Sequence, residues 1–211
     1  MKKILISLFD HSGNASKPYK EDGWTVYQVD IKYGIDILTW NYLKVLRDNT
    51  GFSDVLPEVG IIAMIPCTAY ALCGNKHKKT PERIEIFKES QKLVAKTKEI
   101  IDFFDNLRIL NFWQIENPMS DIHKHNPWMG RVRLQFDPCD YALYDPIPEN
   151  SRYNKRTWLW GNFNVPEMKR LEPLSKDNPG WKKYGGKSER TKELRSITPM
   201  GFSYAFHKYN N

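Results

Sequence analysis

Short apolar runs recur through the first half of the chain, separated by polar or turn-forming residues. The runs at Ile4 to Phe9, Trp24 to Val29, Val59 to Ile65 and Ile109 to Ile115 have the length and composition of β-strands. The run from Val59 to Ile65 contains no polar side chain, which is typical of a strand buried on both faces of a parallel sheet.

The segments between some of these strands have the periodicity of helices. Apolar residues from Ile35 to Leu46 recur roughly on one side, and the segment from Pro81 to Phe104 carries a longer apolar stripe. Thr80 is a favourable N-cap, and proline suits the first helical position after it. This alternation predicts a doubly wound, Rossmann-like α/β fold, with a mostly parallel sheet and helices on both faces.

The second half of the chain has a less regular pattern. Arg131 to Phe136 alternates like a half-buried strand, and Arg156 to Trp160 is a further candidate strand. Phe202 to Tyr209 is a candidate closing helix. Residues 164–192 are rich in Pro, Gly and charge, which indicates a long loop or a small basic insert.

Positive charge is concentrated in one stretch of the sequence. The formal net charge is +7, and residues 151–195 contain twelve Lys and Arg against five Asp and Glu. The aromatic residues interleaved with these cations are Tyr153, Trp158, Trp160, Trp181 and Tyr184. This composition is typical of a surface that binds a polyanion with stackable bases, although a solvated basic surface has the same composition. We expect a single domain over 1–211, with a basic, loop-rich insert at about 151–195.

The cysteines and histidines show neither a disulfide nor a metal-binding pattern. Three cysteines make an odd set without a Cys-x-x-Cys pair, and the five histidines lack ligand spacing. We therefore expect no metal site and a reduced, cytoplasmic setting. The sequence has no run of eighteen apolar residues, so we expect no membrane span. The segment before Asp10 and His11 is too short for a signal peptide and is interpreted as a strand.

Several chemically active residues directly follow the predicted strands. Ligands of open α/β sheets bind outside the carboxyl ends of the strands, where Asp10 to Asn14, Asp30, Cys67 and Glu116 fall. An acid about twenty residues after a glycine-containing loop is the arrangement that holds a ribose, although this loop has one glycine instead of three. On position alone, Cys67 is either a nucleophile or a small buried residue. Glu116 is either a catalytic acid or a solvated strand end.

Taken together, these motifs resemble a known enzyme family. The motifs, in chain order, are Leu8-Phe9-Asp10-His11-Ser12-Gly13, Val29-Asp30-Ile31, Gly34-Ile35-Asp36-Ile37, Pro66-Cys67-Thr68 and Ile115-Glu116-Asn117-Pro118. Their order and spacing are similar to those of the DNA cytosine carbon-5 methyltransferases, in particular the small phage-type members. The resemblance covers nearly the whole chain and implies a bacterial or phage-infected host cell.

The resemblance implies a role for each motif. The residues implied to bind S-adenosylmethionine are Phe9, Asp10, His11, Ser12, Gly13, Asp30, Ile31, Asp36, Ile37 and Pro66. Cys67 would be the nucleophile, and Glu116 would read the base. Met129 to Arg133 resembles the family's Gln-x-Arg-x-Arg strand, which implies that Arg131 and Arg133 contact the substrate. Arg195 to Pro199 resembles its Arg-x-Leu-Thr-Pro segment.

The chemistry of this family explains why a cysteine and an acid belong together. Carbon 5 of cytosine is too electron-poor to attack a methyl sulfonium, and addition of a thiolate at carbon 6 makes it nucleophilic. A protonated carboxyl at ring nitrogen 3 stabilises the resulting charge, which requires that the pKa of Glu116 be raised. Arg131 or Arg133 would hold the base carbonyl or a phosphate and lower the pKa of the thiol. The base must be flipped out of a duplex or be single-stranded.

The sequence also departs from the family pattern. His11 stands where glycine is usual, Ile65 where a first proline is common, and Met129 where the family has glutamine. The large target-recognition region is missing or is reduced to the basic stretch. Two alternatives therefore stay open: a catalytically inactive methyltransferase-fold protein that binds nucleic acid, and a methyltransferase that acts on RNA or on a free nucleotide.

Overall fold

One mixed β-sheet organises the part of the chain that the computed structural model describes, namely residues 1–50, 55–70, 80–174 and 188–211. Its strands are β1 (Lys3–Leu8), β2 (Thr25–Val29), β3 (Glu58–Met64), β4 (Leu110–Pro118), β5 (Leu134–Phe136) and β6 (Thr157–Asn162). They lie in the order β2-β1-β3-β4-β6-β5. The first four strands are parallel, and β6 runs antiparallel to both of its neighbours. The predicted mostly parallel α/β sheet is confirmed.

Helices cover both faces of this sheet. The α-helices of the described ranges are α1 (Lys17–Glu21), α2 (Leu43–Thr50), α3 (Pro81–Asn106), α4 (Ile122–His125), α5 (Glu189–Ser196) and α6 (Met200–Tyr209). Short 3₁₀ helices lie at Ile31–Tyr33, Cys67–Ala69, Pro127–Met129, Pro138–Tyr144 and Pro148–Ser151. No helix in the described ranges is both long and apolar enough to cross a bilayer.

Side chains that alternate along each strand separate the core into two halves. Ile4, Ile6 and Leu8 of β1 pack with residues of α2 and α3, whereas Leu5 packs on the opposite face with residues of α1 and α6. Three of the runs recognised in the sequence, β1, β3 and β4, are central strands, whereas β2 lies at the edge of the sheet. Because both faces of the sheet are covered, a ligand can approach it only at the ends of its strands or along its outer strands.

The connection between β2 and β3 differs from its prediction. Residues from Ile35 to Leu46 do not form one helix, because α2 begins only at Leu43. The carboxylate of Asp36 accepts a hydrogen bond of 2.9 Å from the backbone N–H of Leu38, and its carbonyl accepts from Trp40 at 2.9 Å. Asp36 thus forms a local turn that competes with the helix.

Two strand boundaries also differ, and both affect the candidate site. The last parallel strand, β4, continues through Glu116 to Pro118, because residues at its end pair with β6. The short strand β5 begins at Leu134, and the chain before it turns through Gly130 at φ +69°. Arg131 and Arg133 therefore precede the strand, so the prediction of a strand from Arg131 to Phe136 is wrong for its first half.

The basic stretch contains more regular structure than predicted. Residues 157–162 form β6, and Glu189–Ser196 forms α5. The candidate strand at Arg156 to Trp160 and the closing helix at Phe202 to Tyr209 are confirmed as β6 and α6. Cys73, Trp181 and Tyr184 lie outside the described residues.

The sheet has a switch point between β1 and β3. From β1 the chain continues to β2 on one side, and β3 then lies on the other side of β1. The loops that leave β1 and β3 therefore diverge at their carboxyl ends and open a crevice, which is where ligands bind in sheets of this kind. Phe9 to Gly13 follow β1, and Pro66 and Cys67 follow β3.

Candidate functional site

The loop after β1 is built around the carboxylate of Asp10, which is 2% exposed. One oxygen accepts hydrogen bonds from the Ser7 hydroxyl at 2.9 Å and the Ser16 backbone N–H at 3.1 Å. The other accepts from the Ser12 hydroxyl at 3.3 Å. Burial raises the pKa of Asp10, although these hydrogen bonds lower it in part. Because both oxygens are engaged within the loop, Asp10 shapes the loop, and its side chain is not offered to a ligand.

The first residue of this loop has a strained backbone. Phe9 has φ +61°, in the left-handed region that bulky side chains rarely adopt, and its N–H donates a 2.8 Å hydrogen bond to the carbonyl of Val29. Its ring packs against both halves of the core. A left-handed conformation costs a non-glycine residue roughly 1–2 kcal/mol. Strain of this kind concentrates at functional sites, which agrees with the position of Phe9 at the switch point.

Side chains from β2 and the turn after it hold the rest of the loop. The Tyr33 hydroxyl donates a 2.6 Å hydrogen bond to the carbonyl of His11. The Gln28 amide donates to the carbonyl of Asp10. The loop, including Gly13 at φ +71°, therefore has a defined shape before any ligand is bound.

Two acids lie at the end of β2. One carboxylate oxygen of Asp30 accepts a 2.9 Å hydrogen bond from the N–H of Lys32, and one oxygen of Asp36 accepts from the N–H of Leu38. The second oxygen of each acid has no hydrogen-bond partner within the described ranges. Ile31, beside Asp30, is 69% exposed. This turn thus carries two carboxylate oxygens without a partner in the described ranges and one exposed apolar side chain.

One predicted cofactor contact is not in the crevice. Ile37 is 4% exposed and packs in the core with residues of β1 and β3. Because its side chain is enclosed by core residues, the structure does not bring Ile37 to the cofactor side. Pro66, by contrast, is exposed at the mouth of β3.

The loop that carries Cys67 is tied to the end of β4. Cys67 is half-buried and begins a single 3₁₀ turn that ends with a hydrogen bond of 3.0 Å from the N–H of Tyr70 to its carbonyl. The fully buried side chain of Asn117 donates a 2.7 Å hydrogen bond to the carbonyl of Ile65. The N–H of Asp121 donates to the carbonyl of Tyr70 at 3.2 Å. Two hydrogen bonds therefore fix the cysteine loop against the segment that carries Glu116.

Glu116 is aligned with the same loop through the sheet. It pairs with Met64 in the parallel register of β3 and β4, three residues before Cys67. Burial raises the pKa of its carboxyl, and the positive charge of Lys155 lowers it by a smaller amount. No hydrogen-bond donor within the described ranges reaches this carboxyl.

A small cavity lies beside Glu116. Its volume is about 10 Å³, close to the space that one water molecule needs. The residues that line it are Ala15, Ile62, Met64, Gln114, Glu116, Thr198, Phe202, Ser203 and Phe206. The side-chain oxygen of Gln114 is buried without a hydrogen-bond partner among the described residues. The environment of Glu116 is thus largely apolar and favours the protonated carboxyl.

The two arginines predicted to contact the substrate lie elsewhere. The Arg133 guanidinium donates a 2.9 Å hydrogen bond to the carbonyl of Phe163 and lies 5.3 Å from the centre of its ring. Phe163 follows the end of β6 that pairs with Trp113, whereas Glu116 lies toward the other end of β6. Arg131 is exposed in the turn before β5. The structure therefore does not bring Arg133 to Glu116, because Phe163 holds its side chain.

Lys155 is a candidate site residue that the sequence pattern does not single out. It stands before β6, and its ammonium donates a 2.7 Å hydrogen bond to the carbonyl of Arg195. Its positive charge lowers the pKa of Glu116. The only signal in the sequence is its position just before a predicted strand, which does not distinguish it from neighbouring cations.

The segment of α5 and the residues after it close the edge of the sheet. The Asn14 side chain donates a 3.1 Å hydrogen bond to the carbonyl of Thr198. Lys32 and Glu193 form an ion pair at 2.5 Å between the β2 turn and α5. Glu193 of α5 thus contacts the β2 turn, and the segment that resembles the Arg-x-Leu-Thr-Pro motif contacts the loop after β1 and, through Arg195, Lys155.

An aromatic group flanks the end of β4 on the face opposite Glu116. The rings of His123 and Trp160 stack at 5.5 Å, and Trp158 lies 6.1 Å from Trp160. The side-chain nitrogens of both tryptophans are buried without hydrogen-bond partners among the described residues. Trp158 pairs with Asn117 across β4 and β6, so this group lies on the same face as the tie to the cysteine loop.

Two further observations bear on the site: the search for metal-binding groups and the comparison with known proteins. The described ranges contain no group of three or more His, Cys, Asp or Glu that could hold a metal ion. No model of a known protein family and no curated protein sequence matches this chain.

Proposed function

We propose that this protein is an S-adenosylmethionine-dependent methyltransferase with a Rossmann-like sheet, acting on carbon 5 of cytosine in DNA. The observation that carries the proposal is that the loop of Cys67 and the residue Glu116 lie at the carboxyl ends of neighbouring strands. Their strands are neighbours in register, and the Asn117 hydrogen bond to Ile65 ties the cysteine loop to the strand of the acid. A cysteine and a carboxyl at the carboxyl ends of the neighbouring strands β3 and β4 match a reaction that needs both a thiolate and an acid.

Glu116 is suited to the acid role by its surroundings. Burial raises the pKa of its carboxyl, which favours a protonated group that can donate a hydrogen bond to nitrogen 3 of the ring. The charge that develops when the Cys67 thiolate adds to carbon 6 would thereby be stabilised at nitrogen 3. After methylation, loss of the proton at carbon 5 and cleavage of the bond from sulfur to carbon 6 restore the aromatic ring and the thiolate.

The residues at the switch point fit S-adenosylmethionine. The unused carboxylate oxygens of Asp30 and Asp36 are acceptors for ribose hydroxyls and the adenine amine, and the exposed side chain of Ile31 offers an apolar surface to the adenine ring. The preformed backbone of Phe9 to Gly13 borders the same crevice. When bound, this cofactor would supply the methyl group as an electrophile on a sulfonium.

DNA as the substrate is supported by charge and aromatic content. Residues 151–195 carry an excess of positive charge equal to the net charge of the chain, which suits a polyanion. Two of the cations in this stretch form ion pairs within the described ranges, Arg156 with Asp137 at 2.9 Å and Arg170 with Asp140. Lys182, Lys183 and Lys187 lie outside those ranges, so their contribution rests on composition.

Labelled methyl transfer tests the proposal directly. The protein would be incubated with radiolabelled S-adenosylmethionine and a panel of double-stranded DNA, single-stranded DNA, RNA and free cytosine nucleotides. We expect label in DNA from the wild type, none from Cys67→Ser, and wild-type incorporation from Cys73→Ser. Label found only in RNA or in free nucleotides would show that these, and not DNA, are the substrate. Cofactor and DNA binding without transfer to any substrate would favour the inactive binding protein.

A further inference from the structure

Gln114 and Glu116 share one small cavity in the interior of the protein. They lie two residues apart on β4, so their side chains stand on the same face of the sheet. Both line the cavity of about 10 Å³, which is bordered by residues of β3, of α6 and of the segments before α1 and α6. This volume accommodates one water molecule and no larger ligand.

Polar groups in the wall of this cavity are not satisfied by the protein. The side chain of Gln114 is 3% exposed, and its oxygen is buried without a hydrogen-bond partner among the described residues. A buried acceptor of this kind costs about 1–3 kcal/mol unless a donor reaches it. The carboxyl of Glu116 likewise has no hydrogen-bond partner in the part of the chain that the structure describes. Two acceptor groups on one face of β4 thus share a space the size of a water molecule.

We propose that this cavity binds one water molecule, which donates one hydrogen bond to the oxygen of Gln114 and another to the carboxyl of Glu116. Neighbouring side chains on one face of a strand are about 7 Å apart, which suits a bridge through one water better than a direct hydrogen bond. This inference rests on the proposed function and makes Gln114 a positioning residue for the acid.

A third partner for the water stands in the same wall. A buried water typically makes about three hydrogen bonds. The cavity is lined by two residues with hydroxyl groups, Thr198 and Ser203. The hydroxyl of Ser203 donates to the carbonyl of Pro199 at 3.2 Å, so its proton is engaged. The hydroxyl of Thr198 is therefore the donor that we assign to the oxygen of the water.

This arrangement would fix the orientation of the acid. Glu116 lines the cavity and yet is only half-buried, so part of its side chain stays accessible from outside. Gln114 takes one hydrogen of the water and Thr198 occupies its oxygen, which leaves the other hydrogen for Glu116. The oxygen of the carboxyl that accepts it is the unprotonated one. The protonated oxygen is thereby turned away from the cavity, where it can donate to nitrogen 3 of cytosine.

Crystal structures of the wild type and of Gln114→Met test the water site directly. Methionine has nearly the length of glutamine but no amide, so it keeps the wall of the cavity and removes the acceptor. We expect one ordered water within hydrogen-bond distance of Gln114 Oε1 and of the Glu116 carboxyl in the wild type, and none in the variant. An empty cavity in the wild type, or a direct hydrogen bond between Gln114 and Glu116, overturns the inference.

Carbon-13 NMR titration of the Glu116 carboxyl measures the effect of the water without any substrate. A hydrogen bond from water is stronger to a carboxylate than to the neutral acid, so its loss in Gln114→Met should raise the pKa of Glu116 further. Glu116 is the only titratable group among the described residues that line the cavity, and the substitution leaves the charge of Lys155, which also acts on it, in place.

The matched control for this titration is Gln135→Met, because Gln135 is exposed on β5. The pKa of Glu116 in this variant should equal that of the wild type. Thermal melting establishes that both variants are folded. An unchanged pKa of Glu116 in folded Gln114→Met overturns the link between the two side chains.

Methyl transfer separates this inference from the proposed function. We expect kcat for Gln114→Met to fall about 10-fold to 100-fold with KM for DNA nearly unchanged, because the orientation of the acid matters where charge develops. The alkaline loss of kcat, where Glu116 loses its proton, should move to higher pH, whereas Gln135→Met should match the wild type. A purely structural role of Gln114 would leave the pH profile in place.

Two outcomes distinguish the failure of each proposal. Methylation by the wild type, together with full kcat and an unshifted pH profile in Gln114→Met, overturns the positioning role and leaves the function intact. A wild type that methylates no cytosine overturns the function and the positioning role with it. The water site itself is then decided by the crystal structures and the titration, which need no activity.

Discussion

Asn117 and Ile65 join strand β4, which carries Glu116, to the loop that carries Cys67, through a 2.7 Å hydrogen bond from the side-chain amide to the backbone carbonyl. Asn117 is fully buried at the end of β4, directly after Glu116, and Ile65 lies two residues before Cys67. This side chain, together with the hydrogen bond from Asp121 to Tyr70, thus ties the loop of Cys67 to the strand of Glu116. A contact of this kind affects catalysis because a small displacement of reacting groups has a large effect on rate.

The first prediction concerns this contact. Asn117→Ala should destabilise the protein by about 1–3 kcal/mol, since it removes a buried hydrogen bond and leaves the carbonyl of Ile65 unpaired. Methyl transfer should fall more than stability alone explains, while cofactor binding at the β2 turn is retained. Chemical denaturation and labelled transfer measure the two effects. Asn162→Ala, at the exposed other end of β6, is the control; equal activities of the two variants would remove the positioning role of Asn117.

Covalent trapping tests the roles of Cys67 and Glu116. DNA that contains 5-fluorocytosine should form a stable adduct with the wild type in the presence of S-adenosylmethionine, because fluorine at carbon 5 does not leave as a proton does. Cys67→Ser should abolish the adduct, and Glu116→Gln should slow it, since the ring then lacks its acid while the thiol stays. Denaturing gel electrophoresis detects the adduct, with Cys73→Ser as the control. An adduct that persists in Cys67→Ser would place the nucleophile elsewhere.

Cofactor binding should depend on Asp30. Asp30→Ala removes the carboxylate oxygen proposed to bind the ribose and a hydrogen bond to Lys32, so the Kd for S-adenosylmethionine or its demethylated product should rise about 10-fold to 100-fold. Isothermal titration calorimetry measures the change. Asp105→Ala, at the exposed end of α3, should bind as the wild type does. Undiminished binding by Asp30→Ala would exclude this turn as the ribose site.

The raised pKa of Glu116 predicts how stability depends on pH. The folded state binds the proton more tightly than the unfolded chain, so Glu116 favours folding at low pH. This contribution is lost as the pH rises from the ordinary glutamate value through the raised one. Glu116→Gln is neutral throughout and should therefore melt at a higher temperature than the wild type at pH 8. The difference should shrink toward pH 4.

Calorimetric melting of both proteins across this range measures the effect. The exposed Glu149→Gln serves as a control for the removal of one charge and should show no comparable change with pH. A constant difference between Glu116→Gln and the wild type would mean that burial does not perturb Glu116.

The basic stretch should contribute DNA affinity without reading sequence. Neutralising Lys182, Lys183 and Lys187 together should weaken binding to all duplexes alike. It should also reduce the slope of log K against log salt by up to about 3, because each phosphate that a lysine no longer neutralises lowers the slope by close to one unit. Fluorescence anisotropy across a salt series measures the slope. Equal slopes for variant and wild type would place the DNA-binding cations outside this stretch.

The sequence by itself determined the central framework of this protein. Apolar runs predicted the four parallel strands, and Pro81 directly after Thr80 predicted the start of α3, because burial in a sheet and the fixed φ of proline leave local signatures. The positions of Cys67 and Glu116 at the carboxyl ends of neighbouring strands followed from these runs and from the rule for ligand sites in such sheets.

Only the tertiary structure decided which side chains meet at that edge. Asp10 is engaged by its own loop, Ile37 is enclosed by the core, and the side chain of Arg133 is held by Phe163. The positive charge of Lys155 acts on the pKa of Glu116 because β6 pairs antiparallel with β4 and brings a distant segment to its end. Periodicity reports whether a residue is buried, but its partner depends on how remote segments pack, and that information is not local to any stretch of the sequence.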